Sequence, residues 1–503
     1  MHHMANKFIR YELKNGAEYA SVCLPMRVDG RKVNKTENLG RVLDKQQGIF
    51  KNRERGVFRY TLEQGYQDAP AESHALALKP KGPERLILDF GDVHVLHEYL
   101  KTTPYHAVLT SLLPDQGDTL LALVYYQILA SGARRHAGSW YEGSYARLLL
   151  PRTALGSQQI SEFLSVLGDE ALQRRFFCTY LAKQFPAETV HGLLIDSTGL
   201  PNSIDFPYTA YSNHGGQVSV ETRLIYVTDR LSGMPLYFRY VAGNVIDVST
   251  LKATIGELQM CGIAADYAIL DAGYFTEDNI KALHENEIAY LTRLKPNRKL
   301  YKQLAAAHVQ ALQHGGNLVS YNGRAVYIKR VPCTVTSGID AFAYIGIDML
   351  RRSYEMNAML VNAVEDDLGP EEIDGNLSKL GLFIMISSEE IDTKELLPLY
   401  YARQQIEQVF DITKNYADIL PLRVHGEDTF RGHLLLCFIA TIICKRLQGE
   451  LDAKGVNLIG LFKELRNQKC KVYDSLVVVQ EATKKVNDSY KALKLKSPDK
   501  IPR

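Results

Sequence analysis

At 503 residues, with 46% hydrophobic and 23% charged side chains, the chain exceeds one ordinary domain and has the make-up of a globular protein of two to four domains, which excludes disordered and fibrous classes. Its 59 basic and 57 acidic residues leave a net charge of +2, which excludes a wholesale basic coat, so a polyanionic partner must be held by local patches. Seven cysteines (Cys23, Cys178, Cys261, Cys333, Cys437, Cys444, Cys470) lie scattered, odd in number and without a C-x-x-C pair; this argues against a disulfide framework or a zinc ribbon and for a reducing compartment.

Residues 1–82 read as strands and turns: YASVCLPMRV, a D-G turn at Asp29 and Gly30, RKVNKTENLGRV and GVFRYTLEQG. Between Arg27 and Arg59 ten bases face four acids, a local +6. That suits a nucleic-acid footprint, and equally a solvated face on a small sheet. Residues 83–185 change to helical period in VLHEYL, LLALVYYQIL and ISEFLSVLGDEALQRRFFCTYL, and carry the only tryptophan, Trp140, near Arg134, Arg135 and Arg147. No helix-turn-helix signature stands out there, so a helical packing domain is the simpler reading, with DNA-end binding as its functional alternative.

From 186 to 298, HGLLIDSTG is an apolar run ending in a polar turn, and QVSVETRLIYVTDRLSGMPLYFRYVAGN is a hairpin around Ser-Gly. DVSTLKATIGELQMCGI then reads as an amphipathic helix, YAILDAGYF as a buried strand, TEDNIKALHENE as a capped helix and IAYLTRLK as a further strand. This order predicts a mixed α/β sheet. Residues 299–385 are strand-rich, an insertion between the sheet and its closing helices at 386–450, and 451–503 reads as a lysine-bearing helical tail. The N-terminus lacks an apolar signal core, and HLLLCFIATIICKRL is stopped by Lys445 and Arg446 short of a bilayer span. A soluble, cytoplasmic protein is therefore expected, with no membrane partner.

Asp196 follows Leu193, Leu194 and Ile195, and Asp271 follows Ala268, Ile269 and Leu270. Each carboxylate thus falls at or near the end of a predicted buried strand, where it needs a cation or a hydrogen-bond shell. Taken singly, each reads more readily as a turn cap. In LYYARQQIEQVFDITKN, Tyr400, Arg403, Glu407 and Lys414 are predicted on one helix, and at ~100° per residue they share an arc of about 60°. A surface Arg-Glu pair worth a few tenths of a kcal/mol is the plain alternative.

The spacing Y-x(2)-R-x(3)-E-x(6)-K, met by Tyr400, Arg403, Glu407 and Lys414, resembles the signature of DDE transposases of bacterial insertion sequences. LLIDSTG resembles their first-aspartate strand, AGNVIDVSTL their G-N-x-x-D element, AILDAGYFTEDNI their second-aspartate strand and HGEDTFRGHLLLCFIATII the helix after their glutamate. The likeness runs over roughly residues 186–450.

It implies a ribonuclease H-like catalytic core, interrupted by the β-rich insertion, in which Asp196, Asp271 and Glu407 hold two Mg²⁺ ions, with Mn²⁺ able to substitute. Tyr400, Arg403 and Lys414 would then hold DNA phosphates. The activity implied is metal-dependent hydrolysis at transposon ends followed by strand transfer into target DNA. The partners implied are double-stranded DNA and a second or further copy of the chain, in a bacterial cytoplasm and at the nucleoid when bound. A DNA-binding protein derived from such an enzyme but lacking turnover, or a stand-alone nuclease on the same core, are the alternatives.

Members of this group that cleave through a hairpin are expected to trap a flipped base on an aromatic residue, often tryptophan. None lies between Asp271 and Glu407, so Tyr301, Tyr321, Tyr327, Phe342 and Tyr344 are the substitutes available, each also readable as core. His191, His214, His425 and His433 show no metal-ligand spacing, and His2 and His3 are given no role. Gly215-Gly216 and Gly273 lack a phosphate-loop context, so no nucleotide cofactor is expected.

Overall fold

The computed structural model describes every residue except 1–6, 15–16, 29–30, 71–72, 74–82, 131, 187–188, 215–216, 245–249, 366–376, 378, 416, 418, 421, 423 and 425. The Asp29-Gly30 turn, the Gly215-Gly216 pair, His2, His3, His425 and Asp247 of the G-N-x-x-D element lie outside the described residues. Two compact units emerge: Met1–Tyr99 with Glu142–Leu149 and Ile459–Arg503, and Leu100–Tyr141 with Leu150–Leu458.

In chain order the strands β1 (Phe8–Lys14), β2 (Ala17–Val28), β3 (Arg31–Asp44), β4 (Ile49–Asn52), β5 (Gly56–Thr61) and β6 (Gly65–Asp68) come first, then β7 (Leu86–Asp89). Helices α1 (Gly91–Lys101), α2 (Tyr105–Leu112), α3 (Gly117–Leu129), α4 (Ala137–Gly143), α5 (Ala146–Leu149), α6 (Ser157–Leu167) and α7 (Glu170–Gln184) follow. The alternating region holds β8 (Val190–Pro201), β9 (Ala210–His214), β10 (Gln217–Asp229), β11 (Pro235–Ala242), α8 (Leu251–Met260), β12 (Ala264–Leu270), α9 (Glu277–Glu285) and β13 (Ala289–Arg293). Next come α10 (Lys299–His308), β14 (Leu318–Tyr321), β15 (Arg324–Thr334), β16 (Asp340–Asp348), α11 (Met349–Glu365) and β17 (Leu382–Ser387). The chain closes with α12 (Thr393–Tyr401), α13 (Gln404–Asn415), α14 (Glu427–Asp452), α15 (Leu458–Arg466), β18 (Lys469–Val472), β19 (Leu476–Val479), α16 (Lys484–Ala492) and β20 (Lys500–Pro502).

In the first unit, β1 to β6 form an antiparallel sheet in sequence order. Ala20, Val22, Leu39, Phe50, Phe58 and Tyr60 make its buried cluster, as alternating strands with one apolar face require. The β2–β3 register slips between Ala20 and Ser21, opposite Gly40. A side chain at Gly40 would meet the Lys51 carbonyl oxygen at 2.2 Å, and its φ is +89°, so this bulge admits glycine alone. A second sheet of this unit runs β20-β19-β18-β7. Residues 86–89 and 451–503, both expected as helical, therefore contain strands that pair with one another. Four-residue strands are too short for periodicity to reveal; here their pairing is supported by the Arg466–Asp92 ion pair at 2.9 Å and by the Lys469–Asp89 ion pair.

In the second unit the main sheet runs β11-β10-β8-β12-β13-β17-β16-β15-β14, with β9 on β10. Strand β12 is parallel to β8 and β13, as connections through α8 and α9 demand. The 299–385 block does not stand apart, since β14, β15 and β16 extend the same sheet through β17. The apolar stretch of α14 is buried on all sides from Gly432 through Cys444. That is the pattern of a helix at the centre of a core. No helix among the described residues is long and apolar enough to cross a membrane.

Candidate functional site

The two aspartates are set by strand register. Leu270 on β12 lies level with Ile195 on the parallel β8, so Asp271 and Asp196 follow side by side on neighbouring strands, which lie about 4.8 Å apart. Asp196 is not at a strand end as expected. Strand β8 runs on to Pro201 because β10 pairs it continuously, Tyr226 opposite Asp196 and Glu221 opposite Pro201, so the Asp-Ser-Thr-Gly sequence is extended instead of turning.

The expected single helix carrying the signature residues is also broken. Tyr400 ends near the C-terminus of α12, Ala402 and Arg403 form a turn, and Glu407 and Lys414 belong to α13. Pro398 lies inside α12, where it removes a donor. The chain then tightens to three-residue hydrogen bonds: Arg403 N to Tyr400 O at 3.3 Å, Gln405 N to Ala402 O at 3.0 Å and Ile406 N to Arg403 O at 2.9 Å.

This turn directs Arg403 into the sheet. Its Nη2 donates to Asp196 Oδ2 at 2.8 Å, and its Nη1 to Asp271 Oδ1 at 3.0 Å and to the Tyr400 hydroxyl at 2.9 Å. The Arg403 and Asp196 side chains keep 14% and 17% of their exposure while Asp271 keeps 45%, so one guanidinium bridges an enclosed and an open carboxylate. Burial raises the Asp196 pKa, opposed by Arg403 and by the Ser197 amide that donates to Oδ1. Lys414 Nζ donates to Thr198 Oγ1 at 2.7 Å, two residues beyond Asp196 on the same face of β8. Its pKa is lowered by burial, with Glu221 acting against that.

Asp196, Asp271, Tyr400 and Arg403 are thus brought into one network, with Lys414 on the adjoining Thr198. Glu407 lies in the first turn of α13 with its side chain exposed. Among the described residues no group of three His, Cys, Asp or Glu side chains is gathered around one point. The two aspartates nonetheless fit a divalent ion in kind: they already share a cation, and they offer only hard oxygen donors.

A cavity of about 160 Å³ opens on this network, lined among others by Asp271, Arg293, Asp348, Arg351, Tyr400 and Arg403. Arg293, Asp348 and Arg351 were not singled out from sequence. Each sits at the end of a strand or the start of a helix amid ordinary composition, and nothing short of the fold brings them together. A cavity of about 250 Å³ near Arg174, Arg239 and Arg431 shares no lining residue with the aspartate site.

Among the candidate stacking residues, Tyr301 and Tyr344 are buried core, their hydroxyls donating to Leu382 O at 3.4 Å and Ile391 O at 2.9 Å. Tyr321 stacks on Tyr401 with centroids 5.3 Å apart, and Arg324 lies over both rings. Tyr327 and Phe342 are half-buried. His191 is buried against Asp229, Nδ1 to Oδ1 2.9 Å, and His433 is buried with its Nε2 on Ile419 O. Although the scattered cysteines argue against a disulfide framework, Cys178 on α7 and Cys261 after α8 form a disulfide. Scattered spacing cannot reveal such a pair, because only the fold brings residues 83 positions apart together.

A family model described as the transposase DDE domain matches residues 191–443. No curated protein matches. Among solved structures the chain is similar to the piggyBac transposase in its synaptic complex with hairpin DNA, at 10% identity and a TM-score of 0.41, over 75% of this chain and 79% of that one.

Proposed function

This chain belongs to the transposase DDE domain family, and we propose that it cuts DNA at the ends of its own insertion sequence and joins those ends to target DNA, using a ribonuclease H-like core. The observation that carries this reading is the pair of aspartates from parallel neighbouring strands, both bonded to one cation. Asp196 and Asp271 would hold divalent metal, with Glu407, one helical turn beyond Arg403, completing the set. When bound, Mg²⁺ or Mn²⁺ ions supply Lewis-acid activation of the attacking and leaving oxygens at phosphorus.

The chain's own cations act on the strand. Arg403, a planar two-pronged donor, and Lys414, a point charge, hold phosphates beside the cleaved bond, and the Tyr400 hydroxyl fixes the Arg403 head. These contacts orient the DNA and read no sequence. The six-stranded N-terminal sheet, with its local excess of bases, adds a second phosphate-binding surface. Processing of two ends together calls for at least two copies of the chain, in the cytoplasm and at the nucleoid.

Labelled duplex DNA bearing the element's ends, incubated with Mg²⁺, tests the reading. Wild-type protein should nick the end and Asp271→Asn should not. Absence of cutting by wild type, with binding intact, would leave only a DNA-binding protein. Cutting without joining when target DNA is added would leave a nuclease.

A further inference from the structure

We infer that Arg403 is the built-in counter-cation of Asp196 and Asp271, and that DNA and divalent metal bind cooperatively because a phosphate must draw this guanidinium away before the carboxylates can take metal. This rests on the reading given under Proposed function and concerns how that same site is loaded.

The contacts are specific. Two different nitrogens of one side chain reach two different carboxylates, at 2.8 and 3.0 Å, and the Arg403 side chain is 14% exposed. Asp196 Oδ2 and Asp271 Oδ1 are therefore already spent on a cation. A divalent ion would need these oxygens while facing the guanidinium at contact range, so the two cations exclude each other. Without any cation the two carboxylates would stand side by side with like charge, and the bridge holds them together in the metal-free protein.

Release has a direction. Arg403 sits in the turn between α12 and α13, not inside either helix, so its head can move without unwinding a helix. Its Nε is buried without a hydrogen-bond acceptor. The other acid in the adjoining cavity, Asp348, already accepts from Arg324 at 3.0 Å and from the Arg351 amide at 3.0 Å, and so offers Arg403 no ready alternative. A phosphate oxyanion meets the need: it takes the guanidinium in a charge-assisted pair and leaves both aspartates open. Metal would then load where DNA is already seated, which keeps the nuclease centre idle on the free protein.

Mn²⁺ binding to the full chain, followed by electron paramagnetic resonance with and without duplex DNA carrying the element's ends, tests this. Wild type should bind Mn²⁺ weakly alone and roughly 5- to 150-fold more tightly with DNA, the usual range of coupling between two sites, and Mn²⁺ should tighten DNA by the same factor. Arg403→Gln should bind Mn²⁺ more tightly than wild type without DNA, and its coupling factor should shrink correspondingly. Arg403→Lys, which keeps a charge but cannot bridge both acids, should fall between and serves if the glutamine variant does not fold.

Glutamine and lysine variants that bind Mn²⁺ no more tightly than wild type without DNA overturn the inference alone, provided wild type still takes Mn²⁺ with DNA. A wild-type protein that takes no Mn²⁺ even with DNA overturns both the inference and the catalytic reading beneath it.

Discussion

At the scale of single residues, the acids and cations of the site should separate cleanly. Replacing Asp196, Asp271 or Glu407 by alanine is expected to abolish end cleavage while DNA affinity, measured by filter binding, stays at or above that of wild type, because removing an acid cannot weaken attraction to phosphate. Loss of both together would remove the acids from the metal-holding role. A different residue contributes to stability against acid. His433 is fully buried beside Arg134, and desolvation first, then that guanidinium, hold its pKa well below the ordinary 6.5. The unfolded chain takes up a proton near pH 6.5 that the folded chain refuses, so stability is complete above that pH and is lost as pH falls through it. Lowering the pH from 7.5 to 5.5 should therefore cost the folded protein stability through this one group. Urea melts of wild type and His433→Gln should show that difference in slope, and parallel pH dependences would refute it.

At the scale of elements, what could be read from sequence depended on length and punctuation. Strand β12 and helix α9 were legible because an apolar run meets Thr276, whose side chain caps the helix by accepting from the Asn279 amide. The hairpin of β10 and β11 was legible at Ser232-Gly233, where Gly233 takes φ of +67°. Asp196 and Asp271 were legible as a pair only through the family resemblance, since their meeting depends on the parallel register of β8 and β12. The break at Ala402-Arg403 was hidden, because YYARQQIEQ keeps helical period across it. Helix contact also hides in glycines. A Cβ on Gly432 of α14 would sit 1.8 Å from the Leu164 carbonyl oxygen of α6, and one on Gly168 would sit 1.8 Å from Asp428 O. Gly432→Ala should therefore lower stability by about 1–3 kcal/mol, read from the urea midpoint. An unchanged midpoint would mean the two backbones do not touch.

At the scale of the whole molecule, near-neutral net charge means that DNA affinity must come from patches. The exposed Arg41 and Arg53 of the N-terminal sheet belong to the segment with ten bases against four acids. If each meets one phosphate, the double variant Arg41→Gln with Arg53→Gln should reduce the slope of log affinity against log salt by about two. An unaltered slope would make this sheet a solvated face and leave DNA contact to the second unit.

Anomalous diffraction from Mn²⁺ in crystals of the protein with uncut end DNA tests most directly whether Asp196, Asp271 and Glu407 hold catalytic metal against a DNA strand. Two peaks about 3.5–4 Å apart are expected, bounded by oxygens of all three carboxylates, with Arg403 turned onto a phosphate. Manganese found elsewhere, or the aspartates still bridged by Arg403 with Glu407 facing solvent, would contradict this role.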